Sequence, residues 1–175
     1  MNDAMGFLVF LGICGAIWFF LAQRGASTPT QHGLDEVEND LKNEIKADHE
    51  ALSIALTACQ QSHPEAVNAL SWLAAQDGAV SKQELRSIFR FCDEQGTAIN
   101  KLAYKAIDSL NAGMSMNVKT TEAEAHQSIA ALANKPAAYR LAFYGAANKL
   151  CGSQKNLSAA KQRFLKQAEN VTGQK

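Results

Sequence analysis

The sequence predicts an all-α protein: an N-terminal transmembrane helix, a linker and stalk helix, then a compact helical bundle. Three observations carry this reading. Residues Ala4 to Ala22 form an uncharged run of 19. Apolar residues from Leu34 onward recur at three- and four-residue spacing. Cap signals and glycine stops punctuate the remainder, and no stretch alternates with period two over a strand length. Composition agrees, since 47% of the 175 residues are hydrophobic, with 3 Pro and 11 Gly, which excludes disordered and collagen-like chains. The 17 basic and 17 acidic residues balance, which excludes a globally basic nucleic-acid binder. Four cysteines without a CxxC pair form neither a disulfide framework nor a zinc-finger set, so Cys14, Cys59, Cys92 and Cys151 read as reduced thiols.

The first element, residues 1–23, is a membrane anchor. As a helix rising about 1.5 Å per residue, the uncharged run nearly crosses a ~30 Å hydrocarbon core. A cleaved signal peptide is disfavoured because Met1-Asn2-Asp3 carries no Lys or Arg and Leu21-Ala22-Gln23-Arg24 offers no small-x-small site. A lipoprotein signal ending at Cys14 is opposed by the bulky Ile13 and by its position so near the N-terminus. Asp3 precedes the run and Arg24, Lys42 and Lys46 follow it, so the positive-inside rule places the C-terminal part in the cytoplasm, at the inner membrane. Gly12 and Ala16 form a small-xxx-small pair through which two anchors could approach as a homodimer.

Residues 24–61 read as linker and stalk. The polar stretch 24–33, with Gly25, Pro29 and Gly33, is a flexible linker. Leu34, Val37, Leu41, Ile45, Leu52, Ala55, Leu56 and Cys59 then form one apolar stripe, with acids filling the opposite face. Either a coiled-coil stalk, and with it a homodimer, or packing against the following domain accounts for the stripe. Asp48 interrupts it.

The domain proper spans 62–175. Its helix starts are marked by Ser62-His63-Pro64-Glu65, Ser81-Lys82-Gln83-Glu84 and Thr121-Glu122-Ala123-Glu124, in which a hydroxyl covers a free N–H and a Glu three residues later reaches back. Stops fall at Asp77-Gly78, Gly96, Gly113 and Gly152, which suit left-handed caps. The predicted helices are 64–76, 82–95, 98–111, 121–134, 136–151 and 158–171. Core stripes follow: Val67, Leu70, Leu73 and Ala74; Leu85, Ile88, Phe89 and Cys92; Ile99, Leu102, Ala103, Ile107 and Leu110; Leu141, Phe143, Ala147 and Leu150. Trp72 and Tyr104 are expected at a core edge.

At Ala75-Gln76-Asp77-Gly78-Ala79-Val80-Ser81-Lys82-Gln83-Glu84 the chain resembles the TerB-like domain of tellurite-resistance proteins. Ala75, Asp77, Gly78, Val80, Ser81 and Glu84 match its "Ala-x-Asp-Gly-x-hydrophobic-Ser-x-x-Glu" turn, and Ile88-Phe89-Arg90-Phe91-Cys92 continues in the same pattern. The resemblance covers roughly 62–171 and implies a bundle built from a duplicated pair of helices. The second copy, at Leu141 to Leu165, lacks the Asp-Gly pair and carries Lys161 where Glu belongs. The domain also resembles the membrane-proximal part of a membrane-anchored DnaJ-like co-chaperone. The J-domain is missing, since the nearest match to His-Pro-Asp is His63-Pro64-Glu65 at a helix start, and no co-chaperone activity is expected.

No catalytic constellation is visible: no HExxH, no phosphate-binding glycine loop, and no Ser or Cys at motif spacing from His32, His49 or His126. No cofactor is expected beyond a divalent cation, for which Asp77 and Glu84 are the candidate ligands that the resemblance implies. Calcium takes six to eight oxygens, more than Asp77, Ser81 and Glu84 supply, so capping is the competing account of the same residues. Cys59 and His63 are four apart but lack a second ligand pair. Charge is local: residues 35–50 carry seven acids against two lysines, and 135–175 carry eight basic residues against Glu169 alone. The latter could face anionic lipid, complement the acidic stalk or simply be solvated. The function expected is a membrane-anchored binding or scaffold module with an unidentified protein partner in a stress-response or envelope-associated assembly. The alternative is a divalent-metal sensor linked to tellurite-type stress, with Asp77, Gly78, Ser81 and Glu84 as the functional turn.

Overall fold

The computed structural model describes residues 31–78, 80–110, 120–152 and 157–173. The expected anchor and most of the linker lie outside them, as do Gly113 and Lys155. Within them the chain is all-helical, with no strand: α1 (Gln31–Ser62), α2 (Pro64–Ala74), α3 (Lys82–Glu94), α4 (Lys101–Ser109), α5 (Glu122–Ala131), α6 (Ala137–Cys151) and α7 (Ala159–Thr172). Single 3-10 turns extend α2 at Ala75–Asp77 and α5 at Leu132–Asn134. Among the described residues no helix is long and apolar enough to cross a membrane. Gln31 to Gly33, expected in the linker, already belong to α1.

The chain divides into two units at Asn43 and Glu44, inside α1. In the first, Lys42 Nζ lies 2.7 Å from Glu38 Oε1 at the i,i+4 spacing that supports a solvated helix. In the second, Leu52, Ala55 and Cys59 of α1 are buried, whereas Ile45, on the same stripe, is 50% exposed. The packing reading of that stripe therefore holds from Leu52 onward, and this stretch, assigned to the stalk, contributes to the domain core.

The core is centred on α2, which packs on α5 and α6, while α7 packs on α6 and α5 and α3 lies against α6. Nearly every side chain of α2 from Ala66 to Ala74 is buried. The small ones, Ala66, Ala69 and Ala74, let neighbouring helices come close. Trp72 stacks on Phe164 of α7, ring centroids 5.6 Å apart at 17°. Phe91 meets Phe143 edge-on at 6.3 Å, joining α3 to α6. Fully burying each of Phe89, Phe91, Phe143 and Phe164 contributes about 2–3 kcal/mol.

Two predicted stripes need correction. Leu102 is 59% and Leu141 41% exposed, because α4 turns Ala103, Ala106 and Ile107 inward and α6 turns Phe143, Ala147 and Leu150 inward. Two of the three predicted capping boxes form. Ser81 Oγ accepts the Glu84 N–H and Glu84 accepts the Ser81 N–H, and Thr121 and Glu124 do the same. The box at Ser62 does not form. Helix α1 continues through Ser62, so His63 becomes the N-cap of α2 without a side-chain bond, and Pro64 opens α2 without an N–H to satisfy. Asn100 and Ser158 cap α4 and α7 instead.

Candidate functional site

The turn singled out by the sequence lies between α2 and α3. Asp77 ends the 3-10 turn, and Gly78 follows at φ 104° and ψ −112°. This positive-φ conformation differs from the left-handed helical cap expected there and is one that a β-carbon resists. Ser81 and Glu84 are bound to each other, with 2.7 Å from the Ser81 N–H to Glu84 Oε2. Asp77 is bound elsewhere: its Oδ2 accepts from Lys161 Nζ on α7. The two carboxylates proposed as metal ligands thus each have a partner, and among the described residues no group of three or more His, Cys, Asp and Glu is placed to hold a metal ion. Lys161 itself is the residue at which the second copy of the motif departs from the TerB-like pattern.

The other candidate ligands also serve the fold. The Cys59 thiol is buried and hydrogen-bonded with that of Cys92, and this contact, with burial, pushes the Cys92 thiol far up. Burial raises Cys151 to about 11. The His63 ring is engaged elsewhere, its Nε2 lying 3.0 Å from Thr97 Oγ1 and its ring edge-on to Phe91.

Three cations of the basic C-terminal third, Lys135, Lys161 and Arg163, are matched by acids of the same unit. Arg163 Nη2 lies 2.6 Å from Glu122 Oε1 and holds that carboxyl below its usual range. Lys161 is held by Asp77, Lys135 Nζ stands 3.7 Å from Glu65 Oε2, and Arg140 Nη1 donates to the Ala133 carbonyl at 2.8 Å. Lys135, Lys161 and Arg163 meet acids remote in sequence, because the packing of α7 and of the turn before α6 brings them together.

A site that the sequence reading missed lies between α2 and α5. A groove of about 520 Å³ is walled by Gln60, Glu65 and Asn68 on one side and by Glu124, Gln127 and Ser128 on the other. Gln60 Nε2 donates to Asn68 Oδ1 at 3.1 Å. At the Glu65 end, titratable groups of two chain segments meet. Lys135 sits near Glu65 and 6.0 Å from the centre of the Tyr139 ring, and His63 lies 5.7 Å from that ring. Burial, with Glu65 adding, pushes Tyr139 up to about 12. Burial, with Lys135 adding, holds His63 below its ordinary value, while Glu65 works in the opposite sense. Glu65 Oε2, the Tyr139 hydroxyl and Arg140 Nε are buried without a hydrogen-bond partner among the described residues. Such atoms are uncommon in a folded chain. Sequence spacing offered no sign of this cluster beyond His63-Pro64-Glu65 itself, since Lys135 and Tyr139 are reached only through the packing of α6.

No family model, no curated protein and no solved structure matches this chain.

Proposed function

We propose that this chain is a single-pass, membrane-anchored binding or scaffold module of TerB-like type, held at the inner membrane with its helical unit in the cytoplasm and working in a stress-response or envelope-associated assembly. The observation that carries this reading is the uncharged run of 19 residues at Ala4–Ala22, followed by a polar linker and a helical unit with its own core. Exposed Leu41 and Ile45 on α1, together with the Gly12 and Ala16 pair, offer a route to a homodimer. Capping by Ser81 and Glu84 and the Asp77–Lys161 pair favour a structural role for the turn over the metal-sensor alternative.

Fractionation combined with a reporter fused after Lys175 tests the proposal. Full-length protein retained in membranes after alkaline carbonate, with activity from a cytoplasm-dependent reporter, is the expected result. A freely soluble full-length chain, or activity only from a periplasm-dependent reporter, overturns it. Calorimetry with calcium, magnesium, zinc or manganese at millimolar concentration is expected to give no heat of binding. A saturable heat that Asp77→Asn abolishes would reinstate the sensor.

A further inference from the structure

We infer that the groove between α1 and the start of α4 is a self-association surface, on which a second copy of this chain docks about a two-fold axis with Ile54 and Leu102 at the centre of the contact. The inference goes beyond the binding-module reading and uses neither the anchor nor the Leu41 and Ile45 stripe. Ile54 stands nine residues after Ile45, about two and a half turns of helix, and so on the opposite side of α1.

The apolar content of the groove is the first support. It measures about 300 Å³ and lies within the second unit, between residues 47–58 of α1 and residues 98–102. Ile54 and Leu102 both line it, and at 63% and 59% they are the two most exposed large apolar side chains among the described residues. Scattered single apolar residues are ordinary on a protein surface, whereas two that converge from separate helices mark a contact patch. Alanines make up much of the remaining wall, so a side chain from outside can sink between the helices. Helix α4 leaves Leu102 outside because it turns Ala103, Ala106 and Ile107 into the core.

Charge selects the occupant. Residues 44–50 of α1 carry three acids against Lys46, and the last of them, Glu50, lines the groove. On α4, Lys101 and Lys105 are exposed on either side of Leu102. Among the described residues Glu50, Lys101 and Lys105 take part in no ion pair, while Asp108 further along α4 is held by Arg86. A uniformly basic or uniformly acidic partner would be repelled by one wall. A second copy turned about a two-fold axis lays its α4 wall on this α1 wall and its α1 wall on this α4 wall. Glu50 of each copy then meets the lysines of the other, and apolar centre meets apolar centre. Opposite signs on the two sides of one apolar patch are what an isologous contact requires, since every pairing in it occurs twice.

The test measures the mass of the full-length chain in neutral detergent micelles by sedimentation equilibrium, with the detergent density-matched. A dimer is expected. Ile54→Lys and Leu102→Lys, both at exposed positions, should each weaken it at least tenfold with unchanged circular dichroism, because each substitution acts twice in a two-fold contact. Glu50→Lys should weaken it severalfold, and adding Lys101→Glu and Lys105→Glu to that chain should restore it. Gly12→Ile and Ile45→Lys, placed on the anchor and on the other side of α1, should leave the mass unchanged. A monomeric parent chain would overturn the inference. So would a dimer that survives Ile54→Lys combined with Leu102→Lys, or a Glu50→Lys chain that the two lysine reversals fail to rescue. Should the full-length chain prove freely soluble, the same masses are read in buffer without detergent, so the anchor and this surface fail separately.

Discussion

Lys161 and Asp77, 84 residues apart in the chain, form an ion pair that ties the N-terminal turn of α7 to the turn between α2 and α3. The lysine side chain is 6% exposed and the aspartate 71%, so the pair has one buried and one solvated end. Removing the carboxylate leaves an ammonium in the domain with its stem already desolvated, whereas removing the lysine leaves an aspartate that water can serve. Asp77→Ala should therefore cost about 1–2 kcal/mol, less than for a fully buried pair because Asp77 faces solvent. Lys161→Met should be near neutral, and the double variant should recover most of the loss. Thermal melts followed by circular dichroism of the four proteins decide this, and an Asp77→Ala protein as stable as the parent would show that the pair contributes nothing.

Local backbone chemistry at the same turn predicts a contrast between two serines. Ser81→Ala removes a formed cap and should cost about 1 kcal/mol. Ser62→Ala, at a site with the same sequence signature but inside α1, should change stability by less than about 0.5 kcal/mol. At Gly78, a β-carbon would meet no atom within 4 Å, so Gly78→Ala tests backbone strain alone and should cost about 1–2 kcal/mol. Equal melting temperatures for the Ser81 and Ser62 variants would refute the cap assignment.

Stability should fall on acidification in two stages. His63 has its pKa lowered by the fold from 6.5, so the unfolded chain binds its proton first. Stability contributed by neutral His63 is complete above that value and drains away as pH falls below it, toward the lower folded pKa. Glu122, lowered by Arg163, and Glu124, lowered by Thr121, add a second loss as pH falls below 4.5 toward their folded values. Melting temperature measured from pH 7.5 down to about 2 should show both stages, and His63→Asn should flatten the first. A first stage that survives in the variant would assign it to another group.

The three described cysteines should be chemically silent in the native protein. Cys59, Cys92 and Cys151 are buried, and the fold raises the pKa of the latter two, so little thiolate is available to attack. In a Cys14→Ser background, an aromatic disulfide reagent should react with no thiol at pH 8 and with all three after denaturation. Rapid labelling of any one under native conditions would locate a local opening of α1, α3 or α6.

What the sequence determined by itself is the part of the structure written in short-range chemistry. The all-helical class, the six domain helices to within a few residues, and the caps at Ser81 and Thr121 follow from hydroxyls and carboxylates three residues apart, where each N–H finds its partner inside one turn. Ser62 shows the limit: the identical signal fails because the preceding helix runs through it, and continued hydrogen bonding outweighs one cap. Tertiary structure alone decided the rest. Leu41, Ile45, Leu52 and Cys59 share one apolar stripe, yet only the last two are buried, because burial depends on what stands opposite and not on the period. Lys161 reads as one more cation in a basic stretch until α7 lays it on Asp77. Glu65 reads as half of a cap until α6 brings Lys135 and Tyr139 beside it. Contacts between residues remote along the chain are set by how helix faces pack, and no local spacing encodes them.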